Sequence, residues 1–304
     1  MTKTLLLAAL MAIVTAASAC ENSNPESSNA VVSVVTTNNI AEDWVRRIGG
    51  NRVEVLSLVP PGADPHTFQP GARDMTRLAD ADVVFSIGLG LEKRWLKDML
   101  NTDSSNSGLI IALGDAIDPI NKESRTTEVL DPHFWFDPLR VKLAISEIAL
   151  TLTALDPPGA ATYRNNSITY LLELDELHAW AQATLNTVPA DRRVLITSHD
   201  TLGYFALRYG YQIIGTIIPE ITTGTEISAK NLTELIDTVI KRGVPAIFVE
   251  NTTNDRMATR VAEEADVVAI SSIYTGSLSR HGEGADTYVN MMRSNITTIA
   301  EALR

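Results

Sequence analysis

Short runs of Val, Ile and Leu alternate with amphipathic stretches along this chain, and the alternation occurs twice. The runs fall at 31–36, 53–59, 83–87 and 109–113, and again at 194–197, 211–218, 246–249 and 267–270. Gly, Pro, Asn or Asp bound them, as expected of strands. Helical patterns lie between, notably at 41–48, 72–79, 229–241 and 256–265. Strands without polar alternation, separated by helices, predict an α/β protein whose sheets are mostly parallel and covered on both faces. With 304 residues, 45% of them hydrophobic, the chain is long enough for two such units. Between them, Pro157-Pro158 opens a stretch to about Asn186 in which Ile168, Leu171, Leu174, Leu177, Ala181 and Leu185 recur every three or four residues. One helix there would reach roughly 40 Å and brace two lobes. The expected organisation is an N-terminal lobe at 31–140, a linking helical segment at 141–189 and a C-terminal lobe at 190–304.

The first nineteen residues form an export signal: Lys3, an apolar run over 5–14, then Ala16, Ala17, Ser18 and Ala19. The run is too short to anchor stably across a bilayer, and no later stretch approaches the ~18 apolar residues of a spanning helix. Cys20 is the only cysteine, so an internal disulfide framework and a Cys-based zinc finger are excluded. Cleavage after the Ala17-Ser18-Ala19 site would release a soluble periplasmic or extracellular protein. A bacterial lipoprotein signal would instead acylate Cys20 and tether the chain to the outer face of the cytoplasmic membrane through the polar segment 20–30. A cysteine used nowhere else but here favours the lipoprotein, although Ala17 stands where such signals usually carry Leu. The formal net charge of −12 and the absence of a Lys/Arg run argue against nucleic acid or an anionic membrane surface as partner. Membrane contact is then through the lipid anchor alone, and a monomer is expected. Asn-x-Ser/Thr tripeptides at Asn165, Asn231, Asn251 and Asn295 are read as chance matches.

Of five histidines, His66, His133 and His199 follow strand-like runs, where open α/β sheets place ligands. His178 lies within the long helix and His281 in a late loop. Asp-Pro-His occurs twice, at 64–66 and 131–133; the proline stiffens the approach, and the carboxylate can orient an imidazole. Neutral imidazoles suit a borderline ion such as zinc.

The segment 60–95, PPGADPHTFQPGARDMTRLADADVVFSIGLGLEKRW, resembles the ZnuA-like metal receptors of zinc and manganese ABC transporters. So do 131–138, 197–205 and YVNMMRSN at 288–295, and the resemblance covers essentially 31–304. It implies two α/β lobes, each with a mostly parallel four-stranded sheet, joined by a long backbone helix. It also implies metal held between the lobes by His66, His133 and His199, and delivery to a permease with a cytoplasmic ATPase. The chain departs from the family at Gly276, where an Asp usually supplies the fourth ligand. Water, or Glu283, Asp286 or His281, is left to complete the site. The segment 118–130 has no histidine-rich loop. Three imidazoles without that Asp lean towards Zn2+ as the transported ligand, with Mn2+ as the alternative because manganese prefers oxygen.

Three histidines also hold catalytic zinc, so a secreted zinc hydrolase with Glu283 as base is the rival; no HExxH spacing supports it, and no enzyme is expected. Gly88-Leu89-Gly90 lacks the third glycine of a dinucleotide loop and reads as a tight turn. Ser198-His199-Asp200 cannot form a triad between neighbouring strand residues. An adhesive role, described for some lipoproteins of the family, finds no repeat or exposed apolar run to support it.

Overall fold

The computed structural model describes residues 31–93, 95, 96, 99, 109–123, 128–218, 223, 228–252 and 256–304. The export segment 1–19, the tether 20–30 and Cys20 lie outside the described residues. The first sheet contains β1 (Val32–Thr36), β2 (Val53–Ser57), β3 (Val83–Ser86) and β4 (Leu109–Ala112), ordered β2-β1-β3-β4. After the hairpin strands β5 (Asn121–Glu123) and β6 (Glu128–Leu130), the second sheet contains β7 (Val194–His199), β8 (Gln212–Ile218), β9 (Ala246–Glu250) and β10 (Val268–Ile273). Its order is β10-β9-β7-β8, and every pairing in both four-stranded sheets is parallel. Numbered from the first strand of each half, both sheets have the same order, and the direction in which strands are added reverses between β1 and β3 and between β7 and β9. Such reversals open the crevices in which α/β sheets bind ligands. Gly88, Leu89 and Gly90 have φ of 79°, 54° and 92°, the tight turn expected after β3.

The helices are α1 (Asn39–Gly49), α2 (Ala72–Ala79), α3 (Pro138–Leu155), α4 (Ala160–Leu185), α5 (Gly203–Tyr209), α6 (Ala229–Arg242), α7 (Arg256–Glu264) and α8 (Tyr288–Leu303). Local chemistry marks their ends. Asn38 Oδ1 accepts from Ala41 N–H at 3.0 Å, and Asp137 Oδ1 accepts from Leu139 N–H at 3.1 Å ahead of Pro138. At the far end of α6, Gly243 adopts φ +59°, a left-handed cap that a side chain would strain. No helix among the described residues is long and apolar enough to cross a membrane.

The long helix is a single element of 26 residues, α4, about 39 Å at 1.5 Å per residue, preceded by a 3-10 turn over Pro157–Gly159. Its inward face differs from the stripe predicted in its first half. Tyr163, Ser167 and Tyr170 are buried there, while Ile168 is 53% exposed; Leu174, Leu177, Ala181 and Leu185 are buried as expected. The pattern of aliphatic residues overlooked tyrosine as a core side chain. One apolar core runs from Val34 and Phe85 of the first sheet, through α4 and α8, to Leu195 and Phe248 of the second.

Where α3 turns into α4, Asp156 accepts from Arg52 Nε and Nη2 at 2.6 and 2.8 Å and from Tyr163 Oη at 2.6 Å. The Arg52 guanidinium holds the Asp156 carboxyl below its usual range. This pair ties the end of α1 to the start of the brace, and it needs Gly159. A Cβ there would lie 2.2 Å from Asp156 Oδ2 and 2.6 Å from Arg52 Nε. Gly159→Ala should therefore destabilise the protein by about 1–3 kcal/mol and lower its thermal midpoint by several degrees. Calorimetry of the variant tests this; an unchanged midpoint would show that the ion pair can step aside.

Candidate metal centre

His66 lies in the turn following β2, and both halves of the chain shape that turn. Asp64 Oδ1 accepts from the His66 backbone N–H at 2.9 Å, while its Oδ2 accepts from the Thr67 hydroxyl at 2.9 Å and from that of Thr223. Trp95 Nε1–H donates to the Pro65 carbonyl at 3.0 Å, with Phe68 packed edge-on against the same indole. Gly62 N–H donates to Ser277 Oγ at 2.8 Å, joining the turn to the chain's far end.

His133 precedes a 3-10 turn of three buried aromatics, Phe134–Phe136. Asp131 Oδ1 accepts both the His133 backbone N–H at 2.9 Å and its Nδ1–H at 2.8 Å. His199 ends β7, and Glu250, at the end of the neighbouring β9, serves it in the same way. Glu250 Oε1 accepts His199 N–H at 2.8 Å and Nδ1–H at 2.9 Å, and its Oε2 accepts from Thr275 Oγ1 at 2.7 Å. Ionised carboxylates only accept, so a hydrogen resides on Nδ1 of both rings and Nε2 is the atom each turns towards the centre.

The two Asp-Pro-His segments therefore differ. The second carboxylate orients its imidazole as the sequence suggests. Asp64 reaches only the His66 backbone, and His66 Nδ1 has no hydrogen-bond partner among the described residues. Glu250, distant in sequence, is the orienting residue that sequence reasoning missed; its only signal was an acid ending an apolar strand.

The three rings face one another, with centroids 5.2, 5.2 and 5.4 Å apart. His66 Nε2 is 3.1 Å and His199 Nε2 is 3.3 Å from His133 Nε2. All three residues are buried, at 3%, 1% and 2% exposure. Lone pairs this close repel unless a proton or a cation lies between them. Burial, then the charges of the neighbouring histidines, pushes His66 well below its ordinary range; burial, then His199, does so for His133. Burial also opposes a charge on His199, but the Glu250 carboxylate outweighs it and raises this imidazole. The proton therefore belongs on His199, and the other two rings are neutral donors. Burial likewise lifts Asp131, to about 6.

Among the described residues, only His66, His133 and His199 bring three potential metal donors together. The expected fourth candidates stand elsewhere, in a self-capped loop. Arg280 N–H donates to Glu283 Oε2 at 3.1 Å and Gly282 N–H to Asp286 Oδ2 at 2.8 Å, while the His281 ring is fully exposed, 3.2 Å from Asp286. The loop's own backbone amides engage the Glu283 and Asp286 carboxylates, and the His281 imidazole points to solvent. Gly276 packs against the centre's edge, where an added Cβ would stand 3.0 Å from Pro65 Cδ. His178, half-buried on α4, packs on Tyr209 away from the centre.

Residues 34–302 match the family model described as zinc-uptake complex component A, periplasmic. The manganese-binding lipoprotein MntA of Halalkalibacterium halodurans is 31% identical over 294 residues, 97% of this chain and 96% of that protein. The metal ABC transporter substrate-binding lipoprotein FimA of Streptococcus parasanguinis is 30% identical across 98% of this chain and 97% of its own length. Among solved structures, the periplasmic zinc-binding protein TroA from Treponema pallidum aligns with a TM-score of 0.84 at 30% identity, covering 90% of this chain and 99% of that one.

The electrostatics yield a test on metal-free protein. In nitrogen-detected NMR titrations, His199 should accept its proton at a higher pH than a free histidine, while His66 and His133 stay neutral well below that. In Glu250→Gln, only the Asp64 and Asp200 carboxylates are left to oppose burial, and the His199 titration should fall from its raised position. A His199 titration that ignored this substitution would refute the assigned partnership.

Proposed function

This chain belongs to the zinc-uptake complex component A family, and from that premise we propose that it is an extracytoplasmic receptor that captures a divalent transition metal, zinc in preference, through His66, His133 and His199. It hands the ion to an ABC permease driven by a cytoplasmic ATPase. The observation that carries this reading is the convergence of three buried Nε2 atoms, 3.1 and 3.3 Å apart along the two closest edges. Nitrogens bound to one tetrahedral zinc at ~2.0–2.1 Å lie about 3.3 Å from each other. Zinc is favoured over manganese by the donor chemistry: three imidazoles converge, and Gly276, where the receptors this sequence resembles usually carry an Asp, has no oxygen to offer. Manganese is the alternative, supported by the manganese-binding relative MntA. A hydrolase would need a base beside the ion, and Glu283, its candidate, caps a backbone amide in another loop.

Metal-stripped protein titrated competitively with zinc and manganese should bind one zinc that manganese does not displace. Alanine at His66, His133 or His199 should weaken zinc by more than the ~10–100-fold typical of losing an outer partner. Alanine at His178 should change little. The metal competes with the proton on His199, so affinity should be full above that residue's raised titration and decline as pH falls through it. Manganese preference would show that oxygen ligands complete the site, and a pH-independent affinity would remove His199 from it.

The reading places the receptor on the outer face of the cytoplasmic membrane, anchored through Cys20. The membrane-extracted N-terminus should then have the mass of an acylated chain beginning at Cys20; an unmodified N-terminus there would make the protein soluble.

A further inference from the structure

The hairpin β5–β6 places one ammonium beside two of the three histidines. Lys122 Nζ donates to both oxygens of Asp200 at 2.8 Å and stands 3.9 Å from Asp131 Oδ2. Asp200 follows His199 in the chain, and Asp131 holds the His133 ring through its other oxygen. Asp131 Oδ2 is buried with no hydrogen-bond partner, so Lys122 is the nearest ionic partner recorded for that atom. The approach depends on Gly203, where an added Cβ would lie 2.6 Å from Asp131 Oδ2 and 3.1 Å from Lys122 Nζ. Tyr204 fixes the arrangement: its hydroxyl donates to the Asp131 carbonyl at 2.8 Å and accepts from Ile120 N–H at 3.1 Å.

A carboxylate that accepts from a ligand's Nδ1–H makes that imidazole a stronger donor, and a cation on the same carboxylate weakens the effect. A fixed positive charge also repels a divalent ion directly. A cation 3.9 Å from Asp131 Oδ2 disfavours added positive charge at the centre, and the Asp200 carboxylate beside His199 favours it. The two thus act on the centre with opposite signs, although they form a single ion pair.

We propose that Lys122 is a positioning residue that limits how tightly the centre holds its ion, acting through Asp131 and balanced by Asp200. The inference rests on the centre being the metal site proposed above. A receptor must release its cargo, and a cation beside one orienting carboxylate raises the release rate without occupying a ligand position.

The test is a chelator chase from the zinc-loaded full chain, followed by stopped flow. Lys122→Met keeps the aliphatic stem and should slow zinc release by about threefold or more. Asp200→Asn should speed release, and Lys122→Arg should restore the wild-type rate. Lys122 and Asp200 side chains are 23% and 26% exposed, so added salt should shrink the effect of Lys122→Met. A hairpin that is merely strapped down by the ion pair would respond alike to either loss, with Lys122→Met and Asp200→Asn both faster. That result, or an unchanged rate in Lys122→Met, overturns the inference while leaving the metal site intact. Failure of the wild-type chain to bind zinc overturns the site's reading and the inference with it.

Discussion

Two of the three rings at the centre are set by a carboxylate that accepts twice. Asp131 Oδ1 takes both the backbone and the ring N–H of His133, and the Glu250 carboxylate takes both from His199, with Oε1 and Oε2 at 2.9 and 2.7 Å from Nδ1. Each pair fixes a ring relative to its own main chain, so the ring can move only if the strand or turn beneath it moves. Glu250 ends β9 while His199 ends β7, and the two strands are parallel neighbours in register at Thr197 and Phe248. The His199 orientation is therefore a property of the second sheet's order. Asp131 is steadied from α5 through Tyr204, which makes His133 answer to the same half of the chain.

His66 is held differently, through Pro65, Asp64 and Ser277 rather than through its ring. Its Nε2 stays 3.1 Å from that of His133 because the elements bearing the two cannot drift apart. The continuous core along α4 supplies that restraint, with the Arg52–Asp156 pair fastening one end. Helices of this length resist bending, and with polar groups already converged there is little for a wide closure to accomplish. The geometry favours capture by small local movements. The two sheets use their equivalent crevices unequally. In the second, His199 and Glu250 meet at the reversal between β7 and β9. In the first, buried Glu92 occupies the corresponding place and accepts from Thr37 Oγ1, Ile87 N–H and Gly88 N–H, closing it with structural hydrogen bonds.

The parallel sheets were legible because buried parallel strands are apolar on both faces, and the runs at 83–87 and 246–249 carry no competing pattern. The histidines were legible because imidazole is rare in this chain and three of five stand after strands. Glu250 was not, since a carboxylate that orients a ligand through a sheet neighbour leaves no mark at fixed spacing. The hairpin β5–β6 escaped because strands of three residues are too short for a period to emerge. Proximity in sequence was the only guide to a fourth ligand. Glu283, Asp286 and His281 follow Gly276 closely, yet their loop folds onto its own amides. The tyrosines of α4 show the same limit in the core, where an amphipathic side chain buries its ring and aliphatic Ile168 is left outside.

Gly276 and Pro65 bear on the choice of ion together. A side chain at 276 would bring its Cβ within 3.0 Å of Pro65 Cδ, and Pro65 immediately precedes His66. A side chain added there would press on the Pro65 ring, which would have to give by a few tenths of an ångström. On the proposed reading, three neutral nitrogens leave the ion's charge to be balanced from outside the donor set, by Asp131 and Glu250 across their imidazoles. Nitrogen donors with remote negative charge suit an ion that binds imidazole strongly, and suit poorly one that requires oxygen in direct contact.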